Sequence, residues 1–304
     1  MRHPRLLARA VNTPLLITPK KLDEIVAVLM AAESPDYSFD FELPDDPEDL
    51  AEDHGAVALV RVEGTLVNRA HGLNALSGLC SYESIHAALD EVEQDEEIGS
   101  VVFLFDSPGG EVSGAFDLAD RIASFPKPTK AIAADMACSA AYLLACSCDE
   151  LHATQTADLG SIGVIMRHLD MSRADEKDGL RYTAIYSGAR KNDGDPHAPL
   201  SEEALARFQA DVDSLARLFA EKVAARRPLN VEQVLAFQAG TFIGTAAVEA
   251  GLADSITTPA ALLSGKGQPD DVTEGGPMKD VRKKAAEQTP EPTATIEDTL
   301  AVVS

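Results

Sequence analysis

The feature that most narrows what this chain can fold into is a pair of short β-branched runs bracketing an amphipathic stretch. Val57–Val62 reads VALVRV and stops at Gly64, while Val101–Phe105 reads VVFLF and runs into Asp106-Ser107-Pro108-Gly109-Gly110. Apolar runs this short, bounded by turn residues and rich in β-branched side chains, fit strands buried on both faces better than helices. Between them Ile85, Ala88, Leu89 and Val92 recur at the i, i+3, i+4, i+7 spacing of one helix face, with Ser81 as N-cap. Strand, helix, strand predicts a βαβ crossover and places the chain in the α/β class.

The same reading predicts helices over Gly114–Ser124, Ala140–Cys146 and Ser201–Arg226, and strands over Thr129–Ala134, Leu151–Thr154 and Tyr182–Tyr186. On the long helix Leu205, Phe208, Val212, Leu215 and Phe219 share a face, which suits packing on the core first and a neighbouring subunit second. A helix over Lys20–Ala32, with Thr18 as cap and Pro19 at its first position, opens the chain. Residues 33–53 follow with ten carboxylates, three prolines and no basic residue, a composition that reads as a solvated arm. From Gly265 onward Gly, Pro, Thr, Glu and Lys alternate without apolar periodicity. The expected organisation is therefore an N-terminal helix and acidic arm over 1–54, one catalytic-sized domain over 55–262 and a flexible tail over 263–304.

Charge and composition exclude several classes of partner. Lys plus Arg number 26 against 50 Asp plus Glu, a net charge of −24 whose field repels phosphate backbones, so nucleic acid is not an expected partner. The apolar stretch Met136–Cys148 falls short of the ~20 residues a bilayer-spanning helix needs, so no membrane span is expected. Arg2, Arg5 and Arg9 are not followed by an apolar run, because Asn12, Thr13 and Pro14 interrupt it, and no signal peptide is read. Cys80, Cys138, Cys146 and Cys148 lack CxxC spacing, which argues against a zinc site or a disulfide framework and suits a reducing cytoplasm.

Three places carry chemistry. The Ser107-Pro108-Gly109-Gly110 turn stands at the carboxyl end of a parallel strand, where ligand sites of α/β folds gather. Glycines there let a substrate backbone approach and offer N–H groups to a developing oxyanion; their plainer use is a tight turn. Ser139 lies in Asp135-Met136-Ala137-Cys138-Ser139-Ala140-Ala141-Tyr142, between an expected strand and an expected helix. That position fits a nucleophile whose following amide serves the oxyanion, and its plainer use is a helix cap. A serine nucleophile needs a base: either one of His152, His168 and His197, or Lys191 in Tyr186-Ser187-Gly188-Ala189-Arg190-Lys191. Lys191 follows an expected strand, where burial would lower its pKa enough to take the serine proton.

Taken in order, SPGG, the serine of MACSAAY, LGSIGV at 159–164, SGARK at 187–191 and FIGTAAVEAGLADSI at 242–256 resemble the signal peptide peptidase A family of Ser-Lys proteases. TQTADLGSIGVIMRH and AIYSGARKNDGDPH are similar to its membrane-free branch, the capsid assembly or head maturation proteases of lambda-like tailed phages. The resemblance covers roughly Gly55–Ile256. It implies the crotonase-like and Clp-protease-like fold of repeated ββα units and a serine endopeptidase with no cofactor and no metal. It further implies Ser139 as nucleophile, Lys191 as general base, Ser161 as the residue that holds the lysine, and the Gly110 and Ala140 amides as oxyanion donors. The implied substrates are scaffold, coat or portal proteins, or the chain's own acidic arm and basic Lys279–Lys284 segment, met in the host cytoplasm or procapsid interior.

A lysine base must lose its proton near neutral pH, which sets ~4 kcal/mol against its charged form and requires burial. Relatives achieve this by forming rings, so a homo-oligomer is implied. One departure is visible: membrane-bound members commonly carry Ser-Gly-Gly where this chain has Ser139-Ala140-Ala141, and alanine keeps the amide while restricting φ. Gly275-Gly276-Pro277-Met278 fits the start of a nested scaffold product, although the segment from Met278 is short for one. The alternatives are a bacterial cytoplasmic signal-peptide-peptidase-like protease, a noncatalytic relative, a Ser-His-Asp protease using one of the three histidines, and a crotonase-type acyl-CoA enzyme. The last would use carboxylates, with Glu111 beside Gly110 as one, and leaves LGSIGV and SGARK without a role.

Overall fold

In the computed structural model, which describes residues 10–31, 51–53, 56–69 and 78–264, the chain begins with β1 (Leu15–Ile17), α1 (Pro19–Ala31) and β2 (Ala51–Asp53). Then come β3 (Val57–Glu63), β4 (Thr65–Val67), β5 (Leu79–Ser81), α2 (Tyr82–Gln94), β6 (Ser100–Ser107), β7 (Gly109–Glu111) and α3 (Ala115–Ala123). β8 (Thr129–Cys138), α4 (Ala140–Ala145), β9 (Glu150–Ala153), β10 (Asp158–Gly160), α5 (Ser172–Lys177) and α6 (Glu202–Ala224) follow. The last elements are α7 (Val231–Ala236), β11 (Thr241–Ile243), α8 (Thr245–Glu249), β12 (Ser255–Ile256) and α9 (Pro259–Leu263). All of the described residues fall in one compact unit, Met1–Gly267.

The expected crossover is present. β3 and β6 run parallel from Val57↔Ser100 to Glu63↔Asp106, and α2 returns the chain between them. The Ser81 hydroxyl accepts the Ser84 N–H at 3.0 Å, and Ile85, Ala88, Leu89 and Val92 are buried as their spacing requires. The larger sheet runs β11-β10-β8-β6-β3-β2, with β9 on β8 and β12 on β9; the smaller runs β1-β7-β4-β5. Two successive units send a long strand to the large sheet and short ones to the small sheet, then close with a helix: β3, then β4 and β5, before α2; β6, then β7, before α3. This is the repeated ββα pattern of an α/β fold.

The strands are apolar on both faces because both are covered. Val60, Val62, Phe103, Phe105, Ala131 and Ala133 join the main core, while Leu59, Val102 and Ile132 face the other way and are covered by Leu262 and Leu263 of α9. The turn between β6 and β7 thus sits on a rigid, doubly covered sheet.

Several expectations change. The arm's end is structured, because Ala51–Asp53 pairs antiparallel with β3, and Leu15–Ile17 is a strand of the small sheet rather than part of an arm. No strand forms over Tyr182–Tyr186: these residues are exposed, Ile185 almost entirely at 96%, and no strand among the described residues pairs with them. On α6 only the C-terminal end packs on the core, through Phe219, Ala220 and Val223; Phe208, Val212 and Leu215 are half-buried and Leu205 is exposed. The acidic run up to residue 50, the segment 265–304 with its Gly-Gly-Pro-Met sequence, and Lys279–Lys284 lie outside the described residues.

Candidate active site

Ser139 stands where β8 ends and α4 begins. Its φ of 57° and ψ of −117° put a non-glycine residue in strained backbone, a conformation that costs of order 1–3 kcal/mol and persists where the surroundings hold it. The hold is visible: the Ser139 N–H donates to the Gly160 carbonyl at 2.8 Å and its carbonyl accepts the Leu143 N–H at 3.0 Å. Every residue of α4 is buried, and the Tyr142 hydroxyl donates to the Leu252 carbonyl at 2.9 Å, so the base under the serine is fixed.

The side chain does not cap the helix. Ser139 Oγ makes no capping bond and is buried without a hydrogen-bond partner among the described residues, whereas Ser81 and Ser201 cap their helices in the ordinary way. A buried, unbonded hydroxyl is costly, and here it stands at the end of a parallel strand beside a glycine turn. Cys138, next to it, is no rival nucleophile: burial pushes its thiol up to about 12, and the Sγ donates to the Asp158 carbonyl.

The glycine turn reaches the serine directly. A Cβ on Gly109, whose φ is +94°, would lie 2.9 Å from both the Ser139 Cβ and the Cys138 carbonyl oxygen; one on Gly110 would lie 1.8 Å from the Leu66 carbonyl oxygen. Neither position tolerates a side chain. Ser107, which the sequence reading did not single out, accepts the Gly109 N–H at 3.2 Å and fixes the turn; its place in SPGG is the only signal that could have found it.

Ser161 joins the site from β10. Gly160 pairs with Cys138, so Ser161 stands in register beside Ser139, one residue beyond the strands. It too has a positive φ, 51°, is buried, and its N–H donates to the Gly240 carbonyl at 3.0 Å. Ala140 occupies the first position of α4 without a left-handed φ, so alanine fits where membrane-bound relatives carry glycine. Ser139, Ala140 and Ser161 thus stand at one end of the β8-β10 pair, with Gly109, the residue before Gly110, against Ser139.

Lys191 is not brought there. It is exposed on a turn, its N–H donating to the Gly188 carbonyl at 2.9 Å, and its amine does not bond Ser139 Oγ. The burial expected of it is missing because the strand expected before it does not form. The histidines are engaged elsewhere. His152 lies between Ser255 Oγ and Glu150 at 3.0 and 3.1 Å. His168 Nδ1 meets Asn12 Oδ1 at 3.0 Å, and His197 Nδ1 meets Asp175 at 2.8 Å while its ring stacks on Tyr182 at 3.7 Å. Glu111 accepts the Asn68 N–H at 2.8 Å and its carbonyl accepts the Tyr82 hydroxyl at 2.7 Å, a structural use that weakens an acyl-CoA role. No described helix is long and apolar enough to cross a membrane.

Comparison with known proteins identifies the family of the chain. A model of peptidase family S49 matches residues 122–271. Capsid assembly protease C of Escherichia phage lambda is 40% identical over 210 residues, covering 68% of this chain and 48% of that protein. The slr0021 protein of Synechocystis sp. is 31% identical over 192 residues, 60% of this chain and 69% of that protein. Among solved structures, a ClpP1 mutant from Listeria monocytogenes overlaps 67% of this chain and 94% of its own with a TM-score of 0.45 at 12% identity. The chain spans about half the length of the phage relatives it matches.

Proposed function

Because the chain belongs to peptidase family S49, we propose that it is a serine endopeptidase in which Ser139 attacks a peptide carbonyl and Lys191 accepts the hydroxyl proton. As Oγ bonds to the carbonyl carbon, the proton passes to the neutral lysine amine, and the oxyanion is met by the N–H groups of Gly110 and Ala140. Collapse expels the amine fragment, which takes the proton from the lysine; water then resolves the acyl-enzyme along the same path. Ser161 holds the lysine. No step needs a metal or a cofactor.

The observation that carries this reading is the strained, buried and unbonded hydroxyl of Ser139 against the Gly109-Gly110 turn. Lys191 fits the role in an assembly. Leu180, Tyr182, Ile185 and Tyr186 are exposed just before it, an apolar segment that a second copy of the chain would cover. Covering it would desolvate the lysine and favour its neutral form. Domain 55–262 would then be the peptidase domain of a homo-oligomer, a ring as in relatives.

The substrates proposed are scaffold, coat or portal proteins processed during procapsid assembly, inside the host cytoplasm or the procapsid. The similarity to a capsid assembly protease supports this class. Mass spectrometry of a capsid scaffold incubated with wild type, Ser139→Ala and Lys191→Ala tests it. Cutting by wild type alone upholds the dyad; cutting by Lys191→Ala at the wild-type rate moves the base elsewhere, and no cutting by wild type removes the peptidase reading.

A further inference from the structure

We propose that β1 is an internal occupant of the peptide groove beside Ser139. Leu15–Ile17 fills the slot an extended substrate segment would take, so the site is closed in the single chain and opens when β1 unpairs. The proposal rests on the reading of Ser139 as a peptidase nucleophile.

Three observations carry it. First, β1 pairs antiparallel with the glycine strand itself, in the register Leu15↔Glu111, Leu16↔Gly110 and Ile17↔Gly109. The Thr18 N–H donates to the Pro108 carbonyl at 3.0 Å, and bonded and non-bonded pairs alternate along an antiparallel ladder. Leu16 and Gly110 are therefore the next exchanging pair, and the Leu16 carbonyl takes the Gly110 N–H assigned above to the oxyanion. Second, the other edge of β1 is also satisfied: the Leu15 N–H donates to the Ile165 carbonyl at 2.8 Å and the Ile165 N–H to the Leu15 carbonyl at 3.0 Å. β1 thus fills a slot one strand wide, walled by Gly109–Glu111 and by the segment after Ser161, the geometry in which a peptide is held by its main chain. Third, a Cβ on Gly109 would lie 2.1 Å from the Leu16 carbonyl oxygen and 2.9 Å from the Ser139 Cβ. The Leu16 carbonyl and the serine side chain converge on one point.

The side chains make β1 separable. Leu16 alone of the three enters the main core, where it is fully buried; Leu15 and Ile17 belong to a separate cluster with Ala10, Leu22, Ile25 and Ile165. Further ties include an ion pair between Asp23 and Arg167, the Asn12 N–H to the Arg167 carbonyl at 2.7 Å, Asn12 Nδ2 to the Gly194 carbonyl at 2.7 Å, and Asn12 Oδ1 against His168 Nδ1 at 3.0 Å. Release of β1 with α1 therefore opens the slot without dismantling the main core. It also unpins Gly194, three residues after Lys191 in sequence.

The test pairs a lock with a release in the full chain. Leu15→Cys with Ile165→Cys puts thiols on a hydrogen-bonded antiparallel pair, whose Cα separation of about 5.5 Å suits a disulfide. Leu15→Asp with Ile17→Asp places charge in the small cluster and leaves Leu16 unchanged. A fluorescent peptide copying residues 12–21 is titrated onto both forms carrying Ser139→Ala, and cutting of casein is measured with Ser139 intact. The released form should bind the peptide at least tenfold more tightly than the oxidised lock. The lock should cut at least tenfold more slowly oxidised than reduced, a comparison within one protein that does not depend on the release variant folding. Equal peptide binding by locked and released forms, or binding by neither, overturns the occupancy, as does equal cutting by the oxidised and reduced lock. Lock-dependent binding with no cutting in any form leaves the occupancy standing and removes the peptidase reading of Ser139.

Discussion

Ser139→Ala should stabilise the folded chain while silencing it. The Ser139 hydroxyl is fully buried and unbonded among the described residues, and desolvating such a group without compensation costs about 1–3 kcal/mol. Alanine keeps the Cβ and loses only the oxygen, so most of that cost is recovered; the lost contacts of one atom return a few tenths of a kcal/mol. A net gain of roughly 1–2 kcal/mol corresponds to a rise of about 2–8 °C in melting temperature for a domain of this size. Ser139→Gly should match or exceed it, because relief of the positive φ, about 1–2 kcal/mol, outweighs the extra chain entropy of glycine, about 0.5–1 kcal/mol. Ser81→Ala and Ser201→Ala are the controls: both remove real helix caps, and each should lose about 1 kcal/mol. The assay is urea unfolding followed by circular dichroism, run beside the scaffold-cutting assay. If Ser139→Ala falls with the two cap variants, losing about 1 kcal/mol, then its hydroxyl makes a structural bond and the argument from strain and burial is wrong.

Gly110→Ala should abolish cutting and cost about 2–4 kcal/mol, because its Cβ would lie 1.8 Å from a backbone oxygen of β4 that cannot swing away; urea unfolding reads the loss. Ile185→Asp should lower the mass seen by light scattering and reduce cutting while leaving the unfolding midpoint of the single chain unchanged, since Ile185 is 96% exposed there. Partial burial, reinforced by the charges of Asp135 and Glu63, raises the Asp106 carboxyl above its ordinary 3.8. The folded chain holds that proton more tightly than the unfolded one, so this group favours folding below 3.8 and the contribution is lost as pH rises through the raised value. Asp106→Asn should therefore raise the unfolding midpoint near neutral pH and leave it unchanged below that window.

The parts of the fold that were legible are those whose causes are local. The i, i+3, i+4, i+7 spacing from Ile85 to Val92 and the Ser81 cap gave α2, and the uninterrupted apolar runs gave β3 and β6 as doubly covered strands. Ser139 could be singled out from its neighbours, but not its strain, because serine carries no signal for a positive φ. β1 was missed because PLLITP is a short apolar run between two prolines whose partner, Gly109–Glu111, lies far along the chain. The strand read over Tyr182–Tyr186 failed for the opposite reason: its residues suit a strand, but no strand among the described residues pairs with it. Lys191 inherits that gap. The motif names the residue, and the single chain leaves it in solvent.

The most direct test of the central claim is the site of attack by a fluorophosphonate, mapped by peptide mass spectrometry on the assembled wild-type protein. One adduct is expected, on the hydroxyl of Ser139, formed much more slowly in Lys191→Ala. An adduct on a different serine, or none under conditions where the protein cuts its substrate, would contradict it.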